Sequence, residues 1–356
     1  MSRFVQLHYL TIYPPSNPNR DDVGRPKSAS YGGVPRLRIS SQALKRAARL
    51  SEVMQRDLEG HLGTRTQRIG EVVRDALDED GTDEEKAAEV ATKVADVFGK
   101  IDARAGEQGA IRTRQLAFVS PEERDFAIDL ARRAIQGEAL PNNAELKKMV
   151  LRTADGAADV AMFGRMLADD PNFNREAAVQ VSHAITTHRA LVEDDFYNAA
   201  DDLKTTAEDS GAGFLGDAGF GSGVFYLYAC VDTDLLVENL AGDRALAARS
   251  VGALAEALAI STPAGKRNAF AHHTRASHIR AESGSQQPRS LAGAFLSPVS
   301  GGDVLASSVA ALEDMADKID AAYGDCADST ASMNVPRGEG SLTEIRDFAE
   351  TFVRDV

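Results

Sequence analysis

The chain has 356 residues, 43% of them hydrophobic and 26% charged, with a net charge of −14. At about 150 residues per domain this is one large or two to three small domains, long enough to bury a sizeable core. No apolar run approaches the roughly 18 residues of a membrane span, the N-terminus MSRFVQLHYLTIYPP lacks a signal peptide's basic flank and cleavage site, and Cys230 and Cys326 offer neither a disulfide framework nor a metal pair. A soluble, cytoplasmic protein is the expectation.

An acidic chain ordinarily repels polyanions, but the charge is unevenly spread. Residues 1–49 carry nine Lys or Arg against Asp21 and Asp22, a balance of +7 that leaves the other 307 residues at −21. One face can therefore hold an anion while the remainder stays acidic. Charge alone does not separate this from an ordinary solvated basic segment.

Along the chain, residues 4–12 (FVQLHYLTI) alternate as a strand, which Pro14, Pro15 and Pro18 are expected to end. Residues 16–36 read as a long loop rich in Pro, Gly, Asn and Asp. A helix follows, capped by Ser40 or Ser41, with Leu44, Ala47, Ala48 and Ser51 on its packed side. Gln42, Lys45, Arg46 and Arg49 fall at i, i+3, i+4 and i+7 and make a second, cationic stripe. With the positive N-terminus of the helix, that stripe lines up donors for phosphate oxygens.

Residues 57–180 change to Ala, Glu, Asp, Lys and Leu with helical periodicity at 84–98, 122–136 and 144–153, which reads as an inserted helical domain. The acidic cluster at 78–85 reads as a solvated helix start, and Met162, Phe163, Met166 and Leu167 as a core stripe. Residues 179–188 turn strand-like. Residues 193–223 form a polar, glycine-rich stretch carrying Phe196, Tyr197, Phe214 and Phe220; rings on a loop have little core to join and call for a partner. Residues 224–231 (VFYLYACV) are the strongest strand signal, suited to the centre of a sheet. Beyond them come helices at 234–240 and 243–260, a strand at 278–282, a helix at 304–323, and the capping box Ser341-x-x-Glu344 opening a final helix.

Catalytic motifs fail on context. Residues 211–216 spell GxGxxG but neither follow a strand nor open a helix. Gly265-Lys266 lacks the first glycine and the Ser or Thr of a phosphate loop, though Lys266 and Arg267 are placed to touch a phosphate backbone. His183 and His188 stand five apart, and His272 and His273 have no carboxylate or cysteine beside them, so no metal set emerges. No residue-level feature supports an enzyme.

Several separated blocks carry a resemblance. Asn19-Arg-Asp-Asp22, Tyr31-Gly-Gly33, Arg36-Leu-Arg-Ile-Ser-Ser-Gln42-Ala-Leu-Lys45-Arg46, Gly164-Arg165-Met166, Ser182-His-Ala-Ile-Thr-Thr-His188, Asp201-Asp-Leu203, Ser222 to Tyr228, and Pro263-Ala-Gly-Lys-Arg267 occur in the order found in one family. The sequence resembles the crRNA-binding backbone subunit of type I-E CRISPR Cascade complexes, the CasC family of the RAMP superfamily. The resemblance implies an α+β protein with a ferredoxin-like, RNA-recognition-type antiparallel sheet as palm (1–57, 181–192 and 224–356), helical fingers (58–180) and a β-hairpin thumb (193–223). It implies copies stacked along a guide RNA, each thumb displacing a nucleotide and leaving the bases between free to pair with target DNA. Implied RNA contacts are Arg20, Lys27, Ser40, Gln42, Lys45, Arg46, Arg49, Arg165, Met166, Lys266 and Arg267. Phe196, Tyr197, Phe214 and Phe220 are the implied thumb residues. The implied partners are crRNA, the target DNA strand, other copies of the chain and other Cascade subunits, with no membrane, metal or cofactor. The physics agrees: a subunit holding any guide should grip phosphate and sugar, because base pairing does the reading. Two alternatives are a CRISPR RNA endonuclease on the same sheet, with His183, His188, His272 or His273 as general base, and a metabolic enzyme with a basic anion-site helix.

Overall fold

The computed structural model describes residues 3–106, 109–167, 170–199 and 214–355. Its strands are β1 (Phe4–Ser16), β2 (Ser28–Tyr31), β3 (Val34–Ile39), β4 (Thr64–Thr66), β5 (Ala117–Val119), β6 (Val179–Val181), β7 (Ala184–Thr186), β8 (Glu193–Ala199), β9 (Phe214–Asp232), β10 (Ala276–Gly284) and β11 (Ser329–Asn334). The helices are α1 (Ser41–Arg49), α2 (Glu52–Asp57), α3 (Ile69–Glu79), α4 (Glu84–Ala95), α5 (Ala103–Gly106), α6 (Pro121–Ile135), α7 (Asn143–Val150), α8 (Ala158–Phe163), α9 (Thr233–Asn239), α10 (Arg244–Ile260), α11 (Arg267–Phe270), α12 (Val304–Tyr323) and α13 (Leu342–Arg354). Among them no helix is long and apolar enough to cross a membrane.

Nine strands make one antiparallel sheet in the order β11-β10-β1-β9-β7-β3-β2, with β6 and β8 also on β9. Alternation along β1 decides its two faces. Val5, Leu7 and Tyr9 belong to the larger core, with Leu254 and Leu258 of α10 and Ile345 and Ala349 of α13. Leu10 faces the other way, with Tyr226, Phe295 and Leu312 of α12. The α+β reading therefore holds, as an antiparallel sheet covered by helices.

The inserted helices hold a core of their own: Val73 and Leu77 of α3, Ala91 and Val94 of α4, Ala127 and Leu130 of α6, and Val150 of α7. Ser120 and Glu123 form a full capping box at the head of α6.

Four expectations are corrected. Pro14 and Pro15 do not end β1; they sit in a bulge between the pairs Tyr13–Gly223 and Ser16–Gly221. Past Thr11, β1 has lost β10 as a partner, so the missing N–H groups leave no ladder bond unmade on that side. The supposed loop at 16–36 contains the β2–β3 hairpin, turned by Gly32 and Gly33 at φ 61° and 76°, the left-handed pair a two-residue turn requires. The glycine-rich stretch is not a free loop in its described part, because residues 214–223 continue β9 outward and pair with β8. Gly221 belongs there for space: a Cβ on it would lie 2.5 Å from Leu37 Cδ1. Finally, the Met162 to Leu167 stripe breaks at Gly164, φ 76°, so Met162 and Leu167 are buried while Met166 is 81% exposed.

Candidate nucleic-acid interface

The segment before α1 folds back on the start of that helix. Ser40 caps α1, its Oγ accepting from the Ala43 N–H at 3.3 Å, and its own N–H donates to Asn19 Oδ1 at 2.8 Å. The Lys27 N–H donates to the Asn19 carbonyl at 3.0 Å, and the Arg38 N–H to the Lys27 carbonyl at 2.8 Å. Arg20 bridges to Pro26 on the same loop and is exposed. Asn17 ties the loop to the base of the β8–β9 ribbon, its Nδ2 donating to the carbonyls of Gly24 and Gly219 at 3.0 and 2.9 Å. Arg25 adds an ion pair to Asp194 at 2.8 Å. Gly265 abuts the loop from another side: a Cβ there would lie 2.4 Å from the Pro18 carbonyl oxygen, so Lys266 is carried on a turn pressed against residues 17–18. The sequence-predicted Arg20, Lys27, Ser40 and Lys266 are thus brought to one region.

The cationic stripe of α1 divides. Gln42 and Arg46 are exposed. The Lys45 ammonium lies 6.0 Å from the Phe163 ring, and burial lowers its pKa. Arg46 lines a groove of about 760 Å3 with Arg267 and His273. Arg267 is only partly available there, since its guanidinium donates to the Thr262 carbonyl at 2.5 Å.

Arg49 departs from the sequence reading of a freely exposed cation. Its side chain is 18% exposed, 3.5 Å from the fully buried Asp159 carboxylate and 5.4 Å from the Phe118 ring centroid. Burial pushes the Asp159 carboxyl up to about 6, although the Gly63 N–H and Arg49 both favour its ionised form. Arg49 thus has a structural obligation between α1 and the insertion. Arg65 of β4 lies over the same Phe118 ring at 5.0 Å.

Arg165 is corrected outright as an RNA contact. Its side chain is 1% exposed, forms an ion pair with the buried Glu123 at 2.6 Å and donates to the Arg152 carbonyl at 2.7 Å. A guanidinium paired and enclosed in this way is closed off from a phosphate, even though its Nε–H has no partner. Met166, next to it, is exposed and lines a small cavity with Leu116 and Arg114. On the ribbon Phe196 is 71% and Tyr197 44% exposed, on opposite faces of β8. Phe220 is half-buried, its ring 6.2 Å from that of Phe270, and so belongs to the ribbon's base. The Phe214 side chain, Gly211, Gly213 and residues 201–203 lie outside the described residues.

Two basic residues of that block, Arg38 and Arg36, were not among the implied RNA contacts. Arg38 on β3 places Nη1 3.0 Å from His183 Nδ1, and burial, then Arg38 and Lys27, lower the His183 pKa. The signal for Arg38 was its place in the basic N-terminal stretch; nothing in the sequence pairs it with His183. Arg36, in contrast, is fully buried and donates to the carbonyls of Tyr31, Thr186 and Phe295. Of the other histidines, His188 has both ring nitrogens on backbone groups, Arg189 O and Val224 N, His272 is buried on the Pro263 carbonyl, and His273 is exposed in the groove. Among the described residues no group of three His, Cys, Asp or Glu is placed to hold a metal ion.

The electrostatics of this surface are distinctive. Among the described residues Arg20, Lys27, Arg38, Lys45, Arg46 and Lys266 make no ion pair, whereas Arg74, Arg124, Arg132 and Arg133 on the inserted helices each meet a carboxylate. Unneutralised cations gathered on one side of an acidic protein attract a polyanion.

No curated protein matches the chain. It is similar to a solved subunit of a CRISPR RNA-guided surveillance complex in a pre-nicking state, at 29% identity and a TM-score of 0.85, covering 98% of this chain and 100% of that one. A subunit of another CRISPR RNA-guided surveillance complex gives 26% identity and a TM-score of 0.74 over 99% and 100%. Residues 5–351 match the model of the CT1975-like protein family. With that match and both structural likenesses spanning nearly its whole length, the chain belongs to the CT1975-like family, and its resemblance to Cascade backbone subunits is borne out.

Proposed function

We propose that this protein is a non-catalytic scaffold that grips the sugar-phosphate backbone of a guide RNA within a CRISPR surveillance complex, with copies of itself side by side along the RNA. The observation that carries the reading is the set of cations without an ion pair among the described residues, Arg20, Lys27, Arg38, Lys45, Arg46 and Lys266, on and around α1, in a chain similar to subunits of RNA-guided complexes. In this reading the large sheet is the palm, the inserted helices are the fingers and the β8–β9 ribbon is the thumb. Phe196 and Tyr197 on the ribbon, with exposed Met166 on the insertion, are the apolar groups that interrupt base stacking. Exposed bases then pair with the target DNA strand, while the acidic remainder limits binding to bulk nucleic acid.

The test is native mass spectrometry of the protein purified with its cellular nucleic acid. A defined RNA travelling with a fixed number of copies supports the scaffold. Assemblies free of RNA at physiological ionic strength contradict it. Metal-independent cleavage of repeat RNA, abolished by His183 or His273 substitution, would favour the endonuclease reading instead.

A further inference from the structure

We propose that Lys27, Arg38 and His183 form a phosphodiester-binding site whose occupation takes up a proton on His183, an extension that rests on the RNA-binding reading above.

Three observations place these groups together at a cost. Ser28 pairs with Leu37, and the bond from the Arg38 N–H to the Lys27 carbonyl carries the register one step further, so Lys27 stands opposite Arg38. Like charges directly opposite on neighbouring strands destabilise a sheet. His183 is delivered to the same spot by a bulge. Val181 pairs with Ala229 and Ile185 with Tyr226, so the β6–β7 segment holds one residue more than the β9 segment it faces. The Ser182 N–H bonds to the Tyr228 carbonyl at 2.8 Å, which fixes the bulge. Bulges re-aim a side chain, and this one sets the imidazole 3.0 Å from the Arg38 guanidinium. The guanidinium can only donate, so His183 Nδ1 accepts and the ring is neutral in the free protein.

The charged groups acting on His183 are Arg38 from β3 and Lys27 from the segment before β2, both cationic. No carboxylate pairs with either among the described residues. A phosphate diester seated on Lys27 and Arg38 reverses this balance. It draws the guanidinium to its own oxygens, frees Nδ1 and favours imidazolium, which then donates to the phosphate. The site lies beside Ser40 and the N-terminus of α1, continuous with the cationic stripe.

Affinity for a single-stranded oligoribonucleotide, measured at constant ionic strength from about pH 7.5 to 5.5, tests this in the full-length protein. Wild type is expected to tighten as pH falls, by up to about tenfold per unit. His183→Gln, which still accepts from Arg38 but cannot titrate, is expected to lose that slope, whatever its affinity at pH 7.5. A slope undiminished in His183→Gln overturns the proton-coupled site and leaves the RNA-binding reading standing. Failure of wild type to bind at every pH overturns both.

Discussion

Arg49 differs from its neighbours on α1 because it answers to a buried charge. Asp159 Oδ1 accepts from the Gly63 N–H, while Oδ2 has no hydrogen-bond partner and faces only the guanidinium 3.5 Å away, so the ionised form rests on both. Arg49→Ala should therefore cost on the order of 1–3 kcal/mol at pH 7.5 and less near pH 5, as read by urea unfolding. The sign follows from the raised Asp159 pKa of about 6. Between the ordinary carboxylate range and that value the native state keeps a proton the unfolded state has released, so stability falls as pH rises through this window and levels above it. Asp159→Asn should flatten that dependence; an unchanged pH profile would count against the assignment. Arg165 makes the parallel case without any ligand role. Arg165→Ala leaves Glu123 buried and unpaired, with an expected loss of about 3–5 kcal/mol and unaltered RNA affinity of the folded fraction in a gel shift.

Two elements owe their form to close approach. The β2–β3 turn brings Gly32, at φ 61°, so near the chain at Leu296 that a Cβ would lie 1.6 Å from the Leu296 carbonyl oxygen. Gly32→Ala should lower stability by at least about 2 kcal/mol in thermal or urea unfolding, since both the backbone angle and the space refuse it. The β8–β9 ribbon is held at its base by Asn17 and by the Arg25–Asp194 pair, independently of its tip. Phe196→Ala with Tyr197→Ala, both exposed on β8, should leave the melting temperature near wild type. Under the scaffold reading, the RNA is then protected from nuclease without periodic interruptions. Persistence of wild-type periodicity would argue against the ribbon as the thumb.

For the molecule as a whole, the −14 net charge and the +7 of the first 49 residues act together. If Arg20, Lys27, Arg38, Lys45, Arg46 and Lys266 each meet one phosphate, log affinity should fall with log salt at a slope of about −4 on single-stranded RNA. Lys45→Ala with Arg46→Ala should reduce that slope by about 1.4. A slope near zero would contradict backbone gripping.

Several elements were legible in the sequence because local physics sets them: the alternation of β1, the Ser40 cap and stripe of α1, the apolar core of β9 and the Ser341 cap of α13 need only neighbouring residues. So were the basic N-terminal segment and the family likeness. Tertiary structure alone decided which cations are free, because the partners of Arg49 and Arg165 are distant in sequence and their burial depends on the packed insertion. It alone decided where the hairpin implied for the glycine-rich stretch is anchored, since Gly221 and Gly223 are fixed by space against Leu37 and His188. It alone set His183 beside Arg38, through a bulge that no local pattern announces.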